Sequence, residues 1–243
     1  MAMLGLGVFY GGVIVGIPVV TGVAEGVQHQ KEQNKEAANE ERMVKFHLDV
    51  FCGDNSPKRK EVDGTMVVMR NGKVYLSPKG EDKQPLPPAG GGPAPHPFTG
   101  FYIMYPDDDR SPPQRGLVST ISVDPPMLNW IYADRDTLEL KYGNRTQSIE
   151  HTVGPWDWTE DESGVTLEDW EGFVAVEEDD GWAIYYDIND DRLDNGNKVG
   201  GKKVLQCSLE RRVFDEEQQK QDMEAADKKM SVKKTGDLKT QWG

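Results

Sequence analysis

The chain has 243 residues, 36% of them hydrophobic and 29% charged, with 42 acids against 28 bases and two cysteines. A net charge of −14 excludes a nucleic-acid binder, because phosphate neutralisation needs clustered Lys and Arg. Two cysteines far apart in sequence, Cys52 and Cys207, exclude a disulfide-dense scaffold and leave no Cys/His cluster for zinc.

Residues 1–26 read as a glycine-rich segment of membrane length. No side chain from Met1 to Ala24 is charged. As a helix at ~1.5 Å per residue that stretch reaches ~36 Å, enough for a hydrocarbon core of ~30 Å. Gly7/Gly11 and Gly12/Gly16 form two G-x-x-x-G spacings. This glycine zipper lets helices approach closely in lipid and predicts a homo-oligomer. A secretory signal cleaved near Gly22-Val-Ala24 is the first alternative, although a basic n-region is lacking. A flexible Gly-rich tail is the second, opposed by the apolar Val13–Val15 and Ile17–Val20, and a helix packed on a soluble core is the third, opposed by the glycines at ~1 kcal/mol each relative to alanine. The bases Lys31, Lys35, Arg42 and Lys45 follow the segment. The positive-inside rule then puts the rest of the chain on the cytoplasmic side of a membrane.

Residues 27–43 are rich in Glu, Lys, Gln and Ala with almost no apolar face, which predicts a solvent-exposed helical stalk. Residues 44–214 carry strand signals. Phe46, Leu48 and Val50 alternate with Lys45, His47 and Asp49, so His47 is expected to point outward. Thr65–Arg70 and Lys73–Ser77 flank Asn71-Gly72, a strong hairpin signal. Residues 78–97 form a Pro/Gly-rich loop long enough to be disordered. Further strands are expected at Phe98–Tyr105, Gly116–Val123, Leu128–Ala133, Thr137–Tyr142, Ile149–Val153, Val165–Trp170, Phe173–Glu178, Trp182–Ile188 and Lys203–Arg212. Many short strands without intervening helical patterns predict a mainly β domain, an antiparallel sandwich or barrel. Residues 215–243 read as a charged C-terminal helix or tail. Both cysteines fall in strand-like runs. They read as buried small hydrophobes, or else as one bridge between the first and last strands.

The charge is concentrated. Between Trp156 and Gly196 lie fifteen acids and one base, Arg192, so this stretch carries the whole net charge. It suits a cation or a basic protein surface, or simply a solvated face.

Several motifs approach known chemistry. Gly196–Lys203 nearly spells a phosphate loop, but Lys203 stands where Ser or Thr should reach magnesium; it reads as a hairpin loop. Asp187, Asn189, Asp191 and Asp194 echo a calcium loop, yet Arg192 replaces the obligatory glycine and Lys198 the bidentate Glu. They remain the weak metal candidates, and no cofactor is implied. Among His29, His47, His96 and His151, only His151 sits beside an acid in an expected strand, which makes it the weak catalytic candidate. Trp130, Trp156, Trp158, Trp170 and Trp182 cluster in sequence. Most should be core. Trp156-Asp-Trp158 would place two indoles on one side of a strand among acids, where aromatics also serve interfaces.

The block Gly154-Pro-Trp-Asp-Trp-Thr-Glu-Asp-Glu162, followed by Trp170-Glu-Gly-Phe-Val-Ala-Val-Glu-Glu178, resembles an uncharacterised protein group of filamentous fungi. Leu117–Pro126, Leu128–Tyr132 and Lys141–Asn144 are similar to it too, and the resemblance runs from about Ala37 to Arg212. It implies a fungal origin and a single domain, and no catalytic residues.

Together these readings predict a membrane-tethered, non-enzymatic module that binds a basic protein partner. Trp156, Trp158, Trp170, Glu177, Glu178, Asp179 and Asp180 are its expected contact residues. The alternative is a lipocalin-like carrier, or a cyclase or isomerase, with a Trp/Tyr-lined pocket containing His151.

Overall fold

The computed structural model describes residues 41–88, 90–107, 109–123 and 126–214. The expected N-terminal segment 1–26, residues 27–40 of the stalk and the C-terminal segment 215–243 lie outside the described residues. Among the described residues no helix is long and apolar enough to cross a membrane. All that follows belongs to the unit that begins at Arg42.

The unit is mainly β and antiparallel, as its residue patterns predict. In chain order the elements are β1 (Phe46–Phe51), α1 (Arg59–Val62), β2 (Met66–Arg70), β3 (Lys73–Ser77), β4 (His96–Pro97), β5 (Gly100–Met104), β6 (Arg115–Val123), β7 (Pro126–Ala133), β8 (Leu140–Gly143), α2 (Arg145–Ser148), β9 (Trp156–Trp158), β10 (Val165–Leu167), β11 (Phe173–Glu178), β12 (Gly181–Tyr186) and β13 (Val204–Val213). Asn71 and Gly72 take φ of 52° and 80° at the β2–β3 turn, the left-handed pair that a two-residue hairpin needs.

Eleven strands form one sheet, in the order β12-β11-β13-β1-β5-β6-β7-β8-β3-β2-β4, while β9 and β10 pair separately. Two further pairings, Asp49 of β1 opposite Met66 of β2 and Tyr75 of β3 opposite Ala183 of β12, bring the sheet back on itself. They close a ring β1-β2-β3-β12-β11-β13, with the meander β5–β8 arching from β1 to β3. Closure removes the unpaired edges that an open sheet would expose.

Alternation places Phe46, Leu48, Val50 and Cys52 on one face with Leu205, Cys207 and Leu209 from β13, packed around Tyr102, Trp156 and Phe173. Each large apolar side chain removed from water contributes ~1.5–3 kcal/mol. A second cluster, Met66, Val68, Tyr75, Val174, Val176, Ala183, Tyr185, Leu193 and Val204, covers the other face of β2, β3, β11 and β12. Because β11 is buried on both faces, its Phe173-Val-Ala-Val176 run reads as continuously apolar.

Four local expectations need correction. His47 is 6% exposed, and its Nδ1 lies 2.7 Å from the Phe98 carbonyl oxygen; β1 is covered on both faces, so alternation does not send it to solvent. The Thr137–Tyr142 alternation is strand only from Leu140, since Leu138 sits at φ 63° in a turn. Ile149–Val153 is no strand: Ile149 caps the C-terminus of α2, which the reciprocal Asn144–Gln147 capping box starts, and Thr152 makes only an isolated bridge to Ala133. Gly196–Lys203 is not a hairpin loop, because β12 and β13 both pair with β11 rather than with each other. The Pro/Gly loop is tied down where Lys79 bridges Pro85 and the Leu86 amide donates to the Pro78 carbonyl.

Candidate functional site

After β10 the chain reverses through Glu168 and Asp169, both at positive φ (52° and 59°), and Leu167 and Trp170 exchange backbone hydrogen bonds of 3.0 Å. The reversal throws Trp170 to the surface, where it remains 41% exposed. Its indole is nevertheless fixed. Nε1 donates to the Asp187 carbonyl oxygen at 3.1 Å, and the ring lies against Gly172. A Cβ on Gly172 would fall 1.9 Å from Nε1, so only glycine admits this placement. The Asp187 amide in turn donates to the Gly172 carbonyl at 2.7 Å.

Beside the indole lies an open cleft of about 230 Å³. One wall is Trp170–Val174; another is Phe51 and Gly53 at the end of β1; the floor is Gln206–Ser208 of β13, and Asp187 and Asp190 complete it. Phe51 adds a second exposed aromatic, at 49%. Gln206 Nε2 donates to Asp190 at 3.2 Å, and Arg192 donates to Gln206 Oε1 at 3.1 Å. Glu171 differs from the other acids. It is exposed as a residue, yet partial desolvation of its carboxylate, then the like charges of Asp161 and Glu210, raise its pKa.

Two of the four expected metal ligands, Asp187 and Asp191, are engaged by groups of this chain. The Asp187 carboxylate is buried and accepts from the Asp191, Arg192 and Leu193 amides at 3.3, 2.7 and 3.4 Å. The Arg192 and Leu193 amides belong to a left-handed turn, Arg192–Asn195 with φ of 53–55°, a conformation costing roughly 1–2 kcal/mol per residue. Asp187 gathers its donors and Leu193, 0% exposed, anchors it in the second apolar cluster. Asp191 accepts from the Asp194 amide and from Lys198 Nζ. Asn189 is exposed. Among the described residues no group of three or more His, Cys, Asp or Glu is disposed to hold a metal ion.

The acids at the β11–β12 turn face bases of this same chain. Glu177 pairs with Lys58, Glu178 with Lys73 at 2.7 Å, and Asp180 with Arg70 at 3.2 Å; Asp179 is exposed. Glu178 also accepts from Tyr75 and from Tyr185 at 3.0 and 2.6 Å. Lys73 bridges on to Glu139 at 2.8 Å, and Lys141 joins Glu139 to Asp134. Burial opposes ionisation of Glu139, but the hydrogen bonds from Lys73 and Lys141 outweigh it and hold its pKa at about 2.

The expected tryptophan surface divides. Trp156 is fully buried and stacked on Phe173, with ring centroids 6.0 Å apart. Trp158 packs against the same core, as same-side placement predicts, and the guanidinium groups of Arg42 and Arg211 each lie 4.3 Å from its ring centroid. Between them, Asp157 pairs with Arg42 and Arg115. Of the three expected contact tryptophans, Trp170 alone reaches the cleft. His151 stacks on Tyr132, accepts from the Arg135 amide at 3.2 Å, and does not line the cleft. Sequence reasoning passed over Phe51, Glu171, Gly172, Asp190 and Gln206. The Trp170-Glu-Gly-Phe173 run held the available signal, an exposed aromatic, an acid and a glycine in sequence.

A family profile described as a fungal beta-trefoil domain matches residues 22–215. Neither curated proteins nor solved structures yield a match.

Proposed function

The chain belongs to the fungal beta-trefoil domain family, and from that premise we propose that it is a non-enzymatic module that binds a basic side chain of a protein partner in the Trp170 cleft. The observation that carries this reading is the immobilised, half-exposed indole in a cleft that Glu171 also lines, with Asp161 and Glu210 as like-charged neighbours of the Glu171 carboxylate. An Arg or Lys side chain laid over the indole gains a cation–π contact worth ~0.5–2 kcal/mol. It also relieves the repulsion that Glu171 feels from Asp161 and Glu210. Asp190, which accepts from Gln206 of the floor, supplies a further carboxylate to the cleft. Glu177, Glu178 and Asp180 spend their charge on Lys58, Lys73 and Arg70, so they contribute field rather than contact, whereas Asp179 is exposed to a partner.

Residues 1–24 would tether the module to a membrane, with the domain on the cytoplasmic side. Their lack of charge over 24 residues and the Gly7/Gly11 and Gly12/Gly16 spacings support tethering and lateral association. The carrier or isomerase alternative has less support, since His151 stands apart from the cleft and the ring is filled by Phe46, Tyr102, Trp156 and Phe173.

The test is calorimetric titration of the full-length protein with a short oligo-arginine peptide at low and high salt, beside a neutral oligosaccharide. Salt-sensitive peptide binding that is lost in Trp170→Ala and weakened in Glu171→Gln supports the reading. Saccharide binding in the absence of peptide binding would replace it with a glycan-binding one.

A further inference from the structure

The β1–β13 ladder runs in one register from Phe46 opposite Val213 to Phe51 opposite Ser208. One step further along the same register, Cys52 stands opposite Cys207. Both cysteines are free thiols. Both side chains belong to the same core cluster as the alternating Phe46, Leu48 and Val50, so they leave the sheet on one face. The hydrogen-bond phase of the ladder fixes the kind of pair. The Val50 amide donates to Thr65, on β13's opposite side, and the Cys52 amide donates to the Asp63 carboxylate at 3.0 Å. Neither amide is directed at β13, which makes Val50/Leu209 and then Cys52/Cys207 non-hydrogen-bonded positions. In such pairs the Cα atoms lie ~4.5 Å apart with side chains close, within the ~4.4–6.8 Å over which a disulfide closes.

We infer that Cys52 and Cys207 form a thiol-disulfide switch that clasps the first strand of the ring to the last. Cys207 is the entry point: both thiols are buried, but Cys207, at 8% exposure, lines the cleft while Cys52 is 0% exposed. With a small-molecule disulfide as oxidant, the Cys207 thiolate attacks one of its sulfurs and expels one thiolate. The Cys52 thiolate then attacks the Cys207 sulfur of the mixed disulfide and expels the second. One S–S bond breaks and one forms; the two cysteine protons end on the two departing thiols, and two electrons pass from the cysteine pair to the oxidant. Burial, the main influence on both, raises the two thiol pKa values, so exchange is slow at neutral pH and quickens as pH rises. The bond would close a loop of roughly 155 residues, where a chain-entropy gain is large. It would also join the Phe51–Gly53 wall of the cleft to its Gln206–Ser208 floor. This inference stands whatever the cleft binds.

The experiment incubates folded, full-length protein with oxidised glutathione or with a reducing dithiol, alkylates the remaining thiols, and maps disulfides by mass spectrometry. The expected result is an intramolecular Cys52–Cys207 peptide only in the oxidised sample, forming faster at higher pH. The thermal midpoint should rise on the order of 10 °C. Cys52→Ser should stop the reaction at a glutathione adduct on Cys207. The inference is overturned if both thiols stay alkylatable in the folded protein, if the bond appears only in denaturant, or if the bridges join separate chains. Mapping the unaltered protein decides the matter even if the serine variant does not fold.

Discussion

Gly172 and Trp170 stand so close that a single methyl group on the glycine would lie 1.9 Å from the indole nitrogen. An exposed aromatic is ordinarily free to change rotamer; this one is held by a missing side chain and by the Asp187 carbonyl. Gly172→Ala should therefore displace the indole without emptying the core. Tryptophan fluorescence should shift, and binding of an oligo-arginine peptide should fall about tenfold, as for loss of a contact of ~1.4 kcal/mol. Unchanged binding would mean that indole placement is irrelevant to the ligand.

Glu178 and Asp179 are sequence neighbours with different duties. Removing Glu178 takes one of two acceptors from each of Lys73, Tyr75 and Tyr185 in a partly buried site, leaving Lys73 and Tyr185 with Glu139 and Tyr75 with Asp180. Glu178→Ala should cost about 2–3 kcal/mol in urea unfolding. Asp179 is exposed, and Asp179→Ala should stay within about 0.5 kcal/mol. Equal effects would contradict the placement of the network.

Acid should loosen the domain through the same network. The Glu139 pKa is depressed in the folded state to about 2, from an ordinary 4.5. Its contribution is therefore complete above the unfolded value and is lost as pH falls from 4.5 through about 2. After discounting for solvent screening the effect is about 1–2 kcal/mol. Thermal midpoints measured from pH 7 to pH 2 should be level at first and then fall. Glu139→Gln should flatten that fall, and an unaltered slope would count against the assignment.

The tether is separable from the domain. Full-length protein should stay with membranes on alkaline extraction, whereas a chain lacking residues 1–26 should be released. Release of both would leave the uncharged opening stretch without a membrane role.

Strand positions were legible where local chemistry settles them. Asn71-Gly72 dictates its hairpin because two successive left-handed residues have few other uses, and the alternating runs of β1 and β13 declare their buried face. Ring closure was not legible. It rests on single long-range pairings such as Tyr75 with Ala183, and without an internal repeat no sequence period announces a trefoil. Double-sided burial misled alternation at His47. For the site, Trp156, Trp158 and Trp170 are all expected at the surface, because nothing local separates exposed Trp170 from buried Trp156. Their difference arises from the reversal at Glu168 and Asp169, whose positive φ values no residue type there demands. The acids Asp187 and Asp191 resemble metal ligands in sequence because carboxylates that collect backbone amides and carboxylates that collect cations look alike until the turn is built.

The most direct measurement follows the indole N–H resonances of the isotope-labelled full-length protein, assigned through Trp170→Phe, during titration with a short oligo-arginine peptide. The Trp170 signal should move first and most, saturate, and respond less at high salt, below the raised pKa of Glu171 and in Glu171→Gln. If that signal stays still while another tryptophan moves, or if a neutral oligosaccharide moves it and the peptide does not, the cleft is not a seat for a basic side chain.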